Sequence, residues 1–293
     1  MQNLVSALLG LYIPLAAGIM LRRLNLTSDT ASRDLSRVVL YFLFPLLVFL
    51  AVSKRKITVE ILLMPVLSMT LILICLTVSL LIFGKQHELI LPASFHNAIY
   101  LPIPIAYALW GEEAVALISY YALGNILLFN LLVPLIAAGS LKKGLHNLAR
   151  YPPFYALVLG IIASALSIII PTEVEEALRG IGGATTPIAI LVLGLDSAKN
   201  LVFERDSLKV MFIRFIVAPV ATLILACMVF KLRDLPLAVV ILESLMPPAV
   251  SNVIISGEFG LDSEKMARIV VVTTLFASIA SPLLTLLFLK SLY

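Results

Sequence analysis

The chain has 293 residues, of which 61% are hydrophobic and 13% charged, and its mean hydropathy is +1.09. A soluble domain is roughly 45–50% apolar and about 25% charged, so this is a polytopic membrane chain with little room for a soluble domain. The net charge of +4 and pI of 9.1 do not point to nucleic acid, because the basic residues sit in short loops and not on one soluble face.

A membrane-crossing helix needs about 20 apolar residues. Ten stretches qualify, and they give the expected spans: Leu4–Leu21, Val38–Ser53, Ile61–Phe83, Leu89–Trp110, Ala114–Gly139, Phe154–Pro171, Ile181–Leu195, Val210–Phe230, Leu235–Ser256 and Ile269–Leu289. The first lacks a basic leader region and a small-residue cleavage site, so it reads as a retained span. The second and seventh are short, which suits tilted or protein-surrounded helices. Cys75 and Cys227 both fall inside apolar runs and read as core or lipid-facing side chains, with no disulfide framework or metal spacing. Thirteen of the 21 Lys and Arg residues fall in the odd-to-even loops, seven on the other side, and Arg214 within the eighth span near its cytoplasmic end. The positive-inside rule then places both termini on the non-cytoplasmic side, although the Lys54-Arg55-Lys56 cluster argues the other way.

Two of these runs are broken by proline near their middles. One reads His96-Asn97-Ala98-Ile99-Tyr100-Leu101-Pro102-Ile103-Pro104, the other Glu243-Ser244-Leu245-Met246-Pro247-Pro248-Ala249-Val250-Ser251-Asn252. Proline lacks the N–H that bonds the carbonyl four residues back. The carbonyls of Ala98, Tyr100, Glu243 and Ser244 are therefore expected to be released. In hydrocarbon such groups must face protein, water or ligand. Interrupted segments at matching places in two halves of a chain are the best sequence pointer to a transporter's substrate site. The competing reading is two merely kinked helices.

The halves do match. Both cysteines lie in the third span of their half, and the broken spans lead to Gly111-Glu112-Glu113 and Gly260-Leu261-Asp262. The expected division is 1–150 and 151–293, with the boundary near Arg150. Five spans per half is an odd number, so the second half must run inverted to the first, with the site near mid-depth.

Met246-Pro247-Pro248-Ala249-Val250-Ser251-Asn252 is similar to the ninth-span signature of the auxin efflux carrier family, which includes plant PIN carriers and bacterial malate or malonate permeases. Asn97 to Pro104 resembles its fourth-span pattern, Asn-x-Gly-Phe-x-Gly-x-Pro, with Ile99 and Pro102 at the usual glycine positions. Tyr151-Pro152-Pro153 and the Gly182–Gly194 stretch also resemble the family. The resemblance implies an all-α membrane protein of ten transmembrane helices in two inverted five-helix repeats, the bile-acid-symporter-like fold, with helices 4 and 9 discontinuous and crossing. Spans 1, 2, 6 and 7 would form a scaffold that dimerises. Spans 3–5 and 8–10 would form a transport domain that moves as an elevator and carries small organic anions across the plasma membrane.

Intramembrane polar residues are functional candidates by default. The candidate substrate site comprises Asn97, Pro102, Pro104, Tyr120, Asn125, Pro247, Pro248, Ser251 and Asn252, with Tyr121 beside Tyr120 and Asn130 a weaker candidate. The amides of Asn97 and Asn252 suit a carboxylate, or equally a released backbone carbonyl. Glu243 and His96 are candidates for proton coupling, against the alternative of satisfied packing residues. No cofactor is expected. Protons are the expected coupling ion, since no cluster of acidic and carbonyl ligands demands sodium. Asp196 and Lys199 read as a solvated helix end. With Arg214 apart, a bound anion would be held mainly by half-helix N-termini and by Asn and Ser donors. A sodium-coupled organic-anion symporter is the rival within transport. A membrane enzyme lacks any catalytic motif, and a non-transporting metabolite sensor lacks an output domain. If Glu243 carries the coupling proton, Glu243→Gln abolishes the pH dependence of uptake into proteoliposomes. An unchanged pH profile removes Glu243 from the mechanism.

Overall fold

The structure, a computed structural model, describes residues 2–28, 30–138, 142, 146, 151–197, 202–253 and 260–292. It is helical throughout these residues apart from one isolated β-bridge. The helices are α1 (Gln2–Arg23), α2 (Ala31–Ser53), α3 (Val59–Phe83), α4 (His87–Ser94), α5 (Pro102–Trp110), α6 (Glu112–Ala138), α7 (Pro152–Ala165), α8 (Thr172–Gly183), α9 (Thr185–Ser197), α10 (Ser207–Val229), α11 (Asp234–Ser244) and α12 (Ser263–Leu292). Among the described residues, α2, α3, most of α6, the α8–α9 pair, α10 and most of α12 are long and apolar enough to cross a membrane, and α7 is a shorter apolar helix. The expected fourth span is two helices, α4 and α5, and the ninth ends at Ser244 before a helical turn resumes at 251–253. Lys199 and Arg150 lie outside the described residues.

Proline shapes the long helices as well. α2 and α10 each contain a widened π turn, Val39–Leu43 and Ile213–Val217, and each turn is followed at the second residue on by Pro45 or Pro219. A proline cannot bond the carbonyl four residues back, and widening the turn accommodates its ring without ending the helix. The turn in α10 carries Arg214.

Helix packing sorts into two neighbourhoods. α1 lies along α9, and α2 packs on α7 and α8. Elsewhere α3 packs on α4 and α6, and α10, α11 and α12 pack on one another. α1 and α9 approach closely because glycine faces glycine. A Cβ on Gly18 would collide with the Leu191 carbonyl, and one on Gly194 with the Leu15 carbonyl. Small residues at such crossings let backbones touch where apolar burial alone gives no drive for association.

Ion pairs join the neighbourhoods at one end. Arg55, just beyond α2, pairs with Glu113 of α6, and Arg179 of α8 pairs with Glu112 at 2.5 Å. Lys54 pairs with Glu175 on the same side. At another surface Asp206 meets Lys209 at 2.6 Å and Lys265 at 2.5 Å, and these bonds hold its carboxyl below the usual aspartate range. Gly111 and Gly260, at φ +73° and +71°, stand one residue before α6 and three before α12. Glycine adopts that conformation without the steric penalty of a side chain.

Gly194→Val forces α9 off α1. It should destabilise the detergent-solubilised protein by about 1–3 kcal/mol, the usual range for overpacking, read as a lower Tm, whereas Gly10→Val, where an added Cβ meets nothing, leaves Tm nearly unchanged.

Candidate functional site

The two broken stretches meet. The Asn97 N–H donates to the Pro247 carbonyl at 2.8 Å, and the Ala249 N–H donates to the Phe95 carbonyl at 3.0 Å. These bonds flank an antiparallel bridge between His96 and Pro248. In such a ladder, opposed residues alternate between pairs that exchange hydrogen bonds and pairs that do not. His96 and Pro248 form a pair that does not, so the missing proline N–H is not needed there. Each break thus supplies the backbone partners that the other lost.

Side chains bond further backbone groups at the crossing. Asn252 Nδ2 donates to the Phe95 carbonyl at 2.9 Å, and Asn125 Nδ2 lies 3.3 Å from both the His96 carbonyl and His96 Nδ1. Asn97 Oδ1 accepts from the N–H groups of Ile99 and Tyr100, at 3.3 and 2.8 Å. The prolines of the first break, Pro102 and Pro104, lie in the first turn of α5, where an N–H has no helical partner and proline fits. They start a helix and do not interrupt one. α5 therefore begins beside the crossing at Pro102 and a helical turn, 251–253, begins at the half-buried Ser251, while α4 and α11 end there at Ser94 and Ser244.

Two sequence expectations are corrected, and the release of the Ser244 carbonyl is met by a partner the sequence did not name. The Glu243 carbonyl is not released, since it accepts from the Met246 N–H at 3.2 Å. The Ser244 carbonyl is taken by Arg214 Nη2 at 3.4 Å, and Arg214 Nε donates to the Met246 carbonyl at 3.0 Å. Arg214 is therefore no residue of a helix end: its side chain is wholly buried and reaches the second break, with Nη1 3.9 Å from Cys75 Sγ. A charge inside an apolar span faces the protein interior and finds a partner, and the carbonyls at the proline break are that partner. Arg214 Nη2 replaces the donor that Pro248 cannot supply to Ser244, and Arg214 Nε serves the Met246 carbonyl beside it.

The other candidates separate. Glu243 and His96 are buried together, His96 Nε2 lying 3.4 Å from Glu243 Oε2. The ring of Tyr121 stands beside His96 with centroids 5.8 Å apart, whereas Tyr120 is buried on α6 with its hydroxyl unpartnered among the described residues. Adjacent helix residues cannot share a face, so Tyr121 and not Tyr120 is the ring that meets the pair. Asn130 bonds only the Ile126 carbonyl of its own helix. Cys75 is buried and Cys227 exposed on the apolar surface. Beside α5, the gap lined by Tyr12, Leu15, Leu101, Ile105, Ile190, Leu193 and Ser278 holds only ≈ 10 Å³, about the room of one water.

Broken helices that cross inside an apolar bundle, with amides at their ends, are the architecture of a carrier site. The profile of a family described as membrane transport protein matches residues 4–285. The chain belongs to the auxin efflux carrier family. It is 28% identical over 273 residues, 86% of this chain and 88% of the relative, to a protein of Methanocaldococcus jannaschii named as an uncharacterized transporter. The protein is thus a multi-pass membrane transporter.

Asn125→Leu strips the His96 carbonyl of its donor and should lower stability by about 1–3 kcal/mol, the cost of an unsatisfied buried acceptor. Asn130→Leu, measured by the same thermal melt, should cost well under that because its amide serves only its own helix.

Proposed function

We propose that this transporter carries small organic anions of the carboxylate class, binding them at the crossing of the two broken helices. One observation supports the reading: the breaks pair backbone to backbone beside the start of α5 at Pro102 and the helical turn at 251–253, with Asn97 and Asn252 among the bonded residues. The partial positive charge of a helix N-terminus attracts anions; since Pro102 and Pro104 have no N–H, and those of Ile103, Ile105, Asn252 and Val253 already bond carbonyls, the dipole and the side-chain donors carry that attraction here. Asn and Ser add neutral donors, which suits a carrier that must also release its cargo.

The fold proposed with it is ten transmembrane helices in two inverted five-helix repeats, residues 1–150 and 151–293. The positive-φ glycines that follow the two broken spans, Gly111 before α6 and Gly260 before α12, support kinship between the halves. Spans 1, 2, 6 and 7 form the scaffold and spans 3–5 and 8–10 the moving domain. The packing of α1 on α9 and of α2 on α7 and α8 supports that partition. Transport proceeds by elevator displacement of the crossing past the scaffold. The small volume beside α5 fits a closed conformation that must open to admit cargo. The protein resides in the plasma membrane with both termini on the non-cytoplasmic side, and pairs into a homodimer through the scaffold. Protons bound at Glu243 and His96 drive the cycle.

Counterflow in proteoliposomes tests this reading. A labelled carboxylate, with malate and indole acetate as the first probes, should accumulate transiently in vesicles preloaded with the unlabelled compound, without added sodium. Asn97→Ala and Asn252→Ala should each cut the rate about tenfold, equivalent to about 1.4 kcal/mol. Absence of counterflow for every carboxylate tried, from protein shown to be folded, overturns it. Strict sodium dependence replaces it with a sodium-coupled symporter.

A further inference from the structure

The backbone pairing at the crossing leaves one set of buried groups unused. Glu243 is completely buried at the end of α11, and neither carboxylate oxygen has a hydrogen-bond partner among the described residues. Its nearest polar neighbour is His96 Nε2, 3.4 Å from Oε2. The titratable and charged groups around it are His96 from the first break, Tyr121 from α6, Cys75 from α3 and Arg214 from α10. Arg214 is equally buried, and its charge acts on Glu243 through space, since its N–H groups are directed to the Ser244 and Met246 carbonyls and toward Cys75.

Counting charge gives the consequence. With Glu243 ionised and His96 neutral, the Arg214 cation and the Glu243 anion cancel, and the crossing has no net charge. One proton added to the Glu243–His96 pair leaves the Arg214 charge uncompensated in a low-dielectric interior, where an unbalanced ion costs several kcal/mol. An anion entering the crossing removes that imbalance. We propose that Arg214 is the fixed countercharge that ties anion binding to proton binding, so that the carrier takes up one proton with each anion it accepts. This rests on the organic-anion reading above. The proton binds between Glu243 Oε2 and His96 Nε2 and leaves with the anion on the opposite side; no other bond forms or breaks. Arg214 is a positioning residue: it holds the second break and sets the local charge, and does not touch the cargo. A monocarboxylate then moves with no net charge, while a fully ionised dicarboxylate carries one negative charge across.

Calorimetry on the full-length protein in lipid nanodiscs tests the proposal. Benzoate, lactate, malonate and malate are titrated in two buffers of different ionisation enthalpy, which reads the protons taken up per anion bound. The wild type should take up about one proton per anion. Glu243→Gln mimics the protonated carboxyl, so it should bind the same anion at least as tightly with no proton uptake and no pH dependence. Arg214→Lys should keep both binding and proton uptake. Arg214→Gln should weaken binding at least about tenfold, or 1.4 kcal/mol. Should Arg214→Gln fail to fold, Glu243→Gln and Arg214→Lys decide. Wild-type binding without proton uptake, loss of binding in folded Glu243→Gln, or unchanged affinity in folded Arg214→Gln overturns the proposal and leaves the anion reading standing. Failure of the wild type to bind any of the four overturns both.

Discussion

A backbone N–H or carbonyl left unpaired in hydrocarbon costs several kcal/mol, and a membrane protein can interrupt a helix only where something else supplies the bonds. Here the supplier is a second interruption. Phe95–Asn97 and Pro247–Ala249 exchange two backbone bonds around a pair that does not bond to itself, while Asn125, Asn252 and Arg214 donate to the His96, Phe95, Ser244 and Met246 carbonyls. Neither break is tolerable alone. Their pairing fixes where α4, α5 and α11 lie, and so where α3, α6, α10 and α12 must pack.

That solution leaves a polar centre inside an apolar bundle. The start of α5, the turn at 251–253 and the ends of α4 and α11 meet within a few residues, and a carboxylate, an imidazole and a guanidinium are buried beside them. Buried charges are weak sources of stability and are retained where they serve a function. The charge-balanced set of Arg214, Glu243 and His96 is of that kind. With Glu243 ionised and His96 neutral, as proposed for the empty crossing, the set has no net charge, and a single proton leaves it with one positive charge.

Much of this was legible in the residues. Proline pairs inside apolar runs, each with an asparagine close by, located both breaks, and apolar length located the helices but not all their ends: α2, α8 and α12 begin at Ala31, Thr172 and Ser263, well before the expected Val38, Ile181 and Ile269, because polar first turns extend them, and α7 ends at Ala165 short of Pro171. The helix ends at Ser94 and Ser244 were also readable in outline, because proline at the first turn starts helices as readily as it ends them. What the sequence hid was partnership. The release of the Glu243 and Ser244 carbonyls followed from proline chemistry, but the Met246 N–H and the Arg214 guanidinium that take them come from a local turn and from a helix about 30 residues away. A signal for Arg214 existed: it is a basic residue deep in an apolar run, as Glu243 is an acidic one, and opposite charges in hydrocarbon seek each other or a released carbonyl. Choosing Tyr121 over Tyr120 required the rotation of α6, which apolar residues on every face of that helix do not reveal.

Cargo binding at the crossing is the claim on which the functional account turns. Cryo-electron microscopy of the protein in lipid nanodiscs, with a carboxylate that raises its Tm, tests it most directly. The account predicts ligand density at the paired breaks, against the start of α5 at Pro102 and the turn at 251–253 and within reach of the Asn97 and Asn252 amides. Density elsewhere, or two unbroken helices with Asn97 and Pro247 apart, would contradict it.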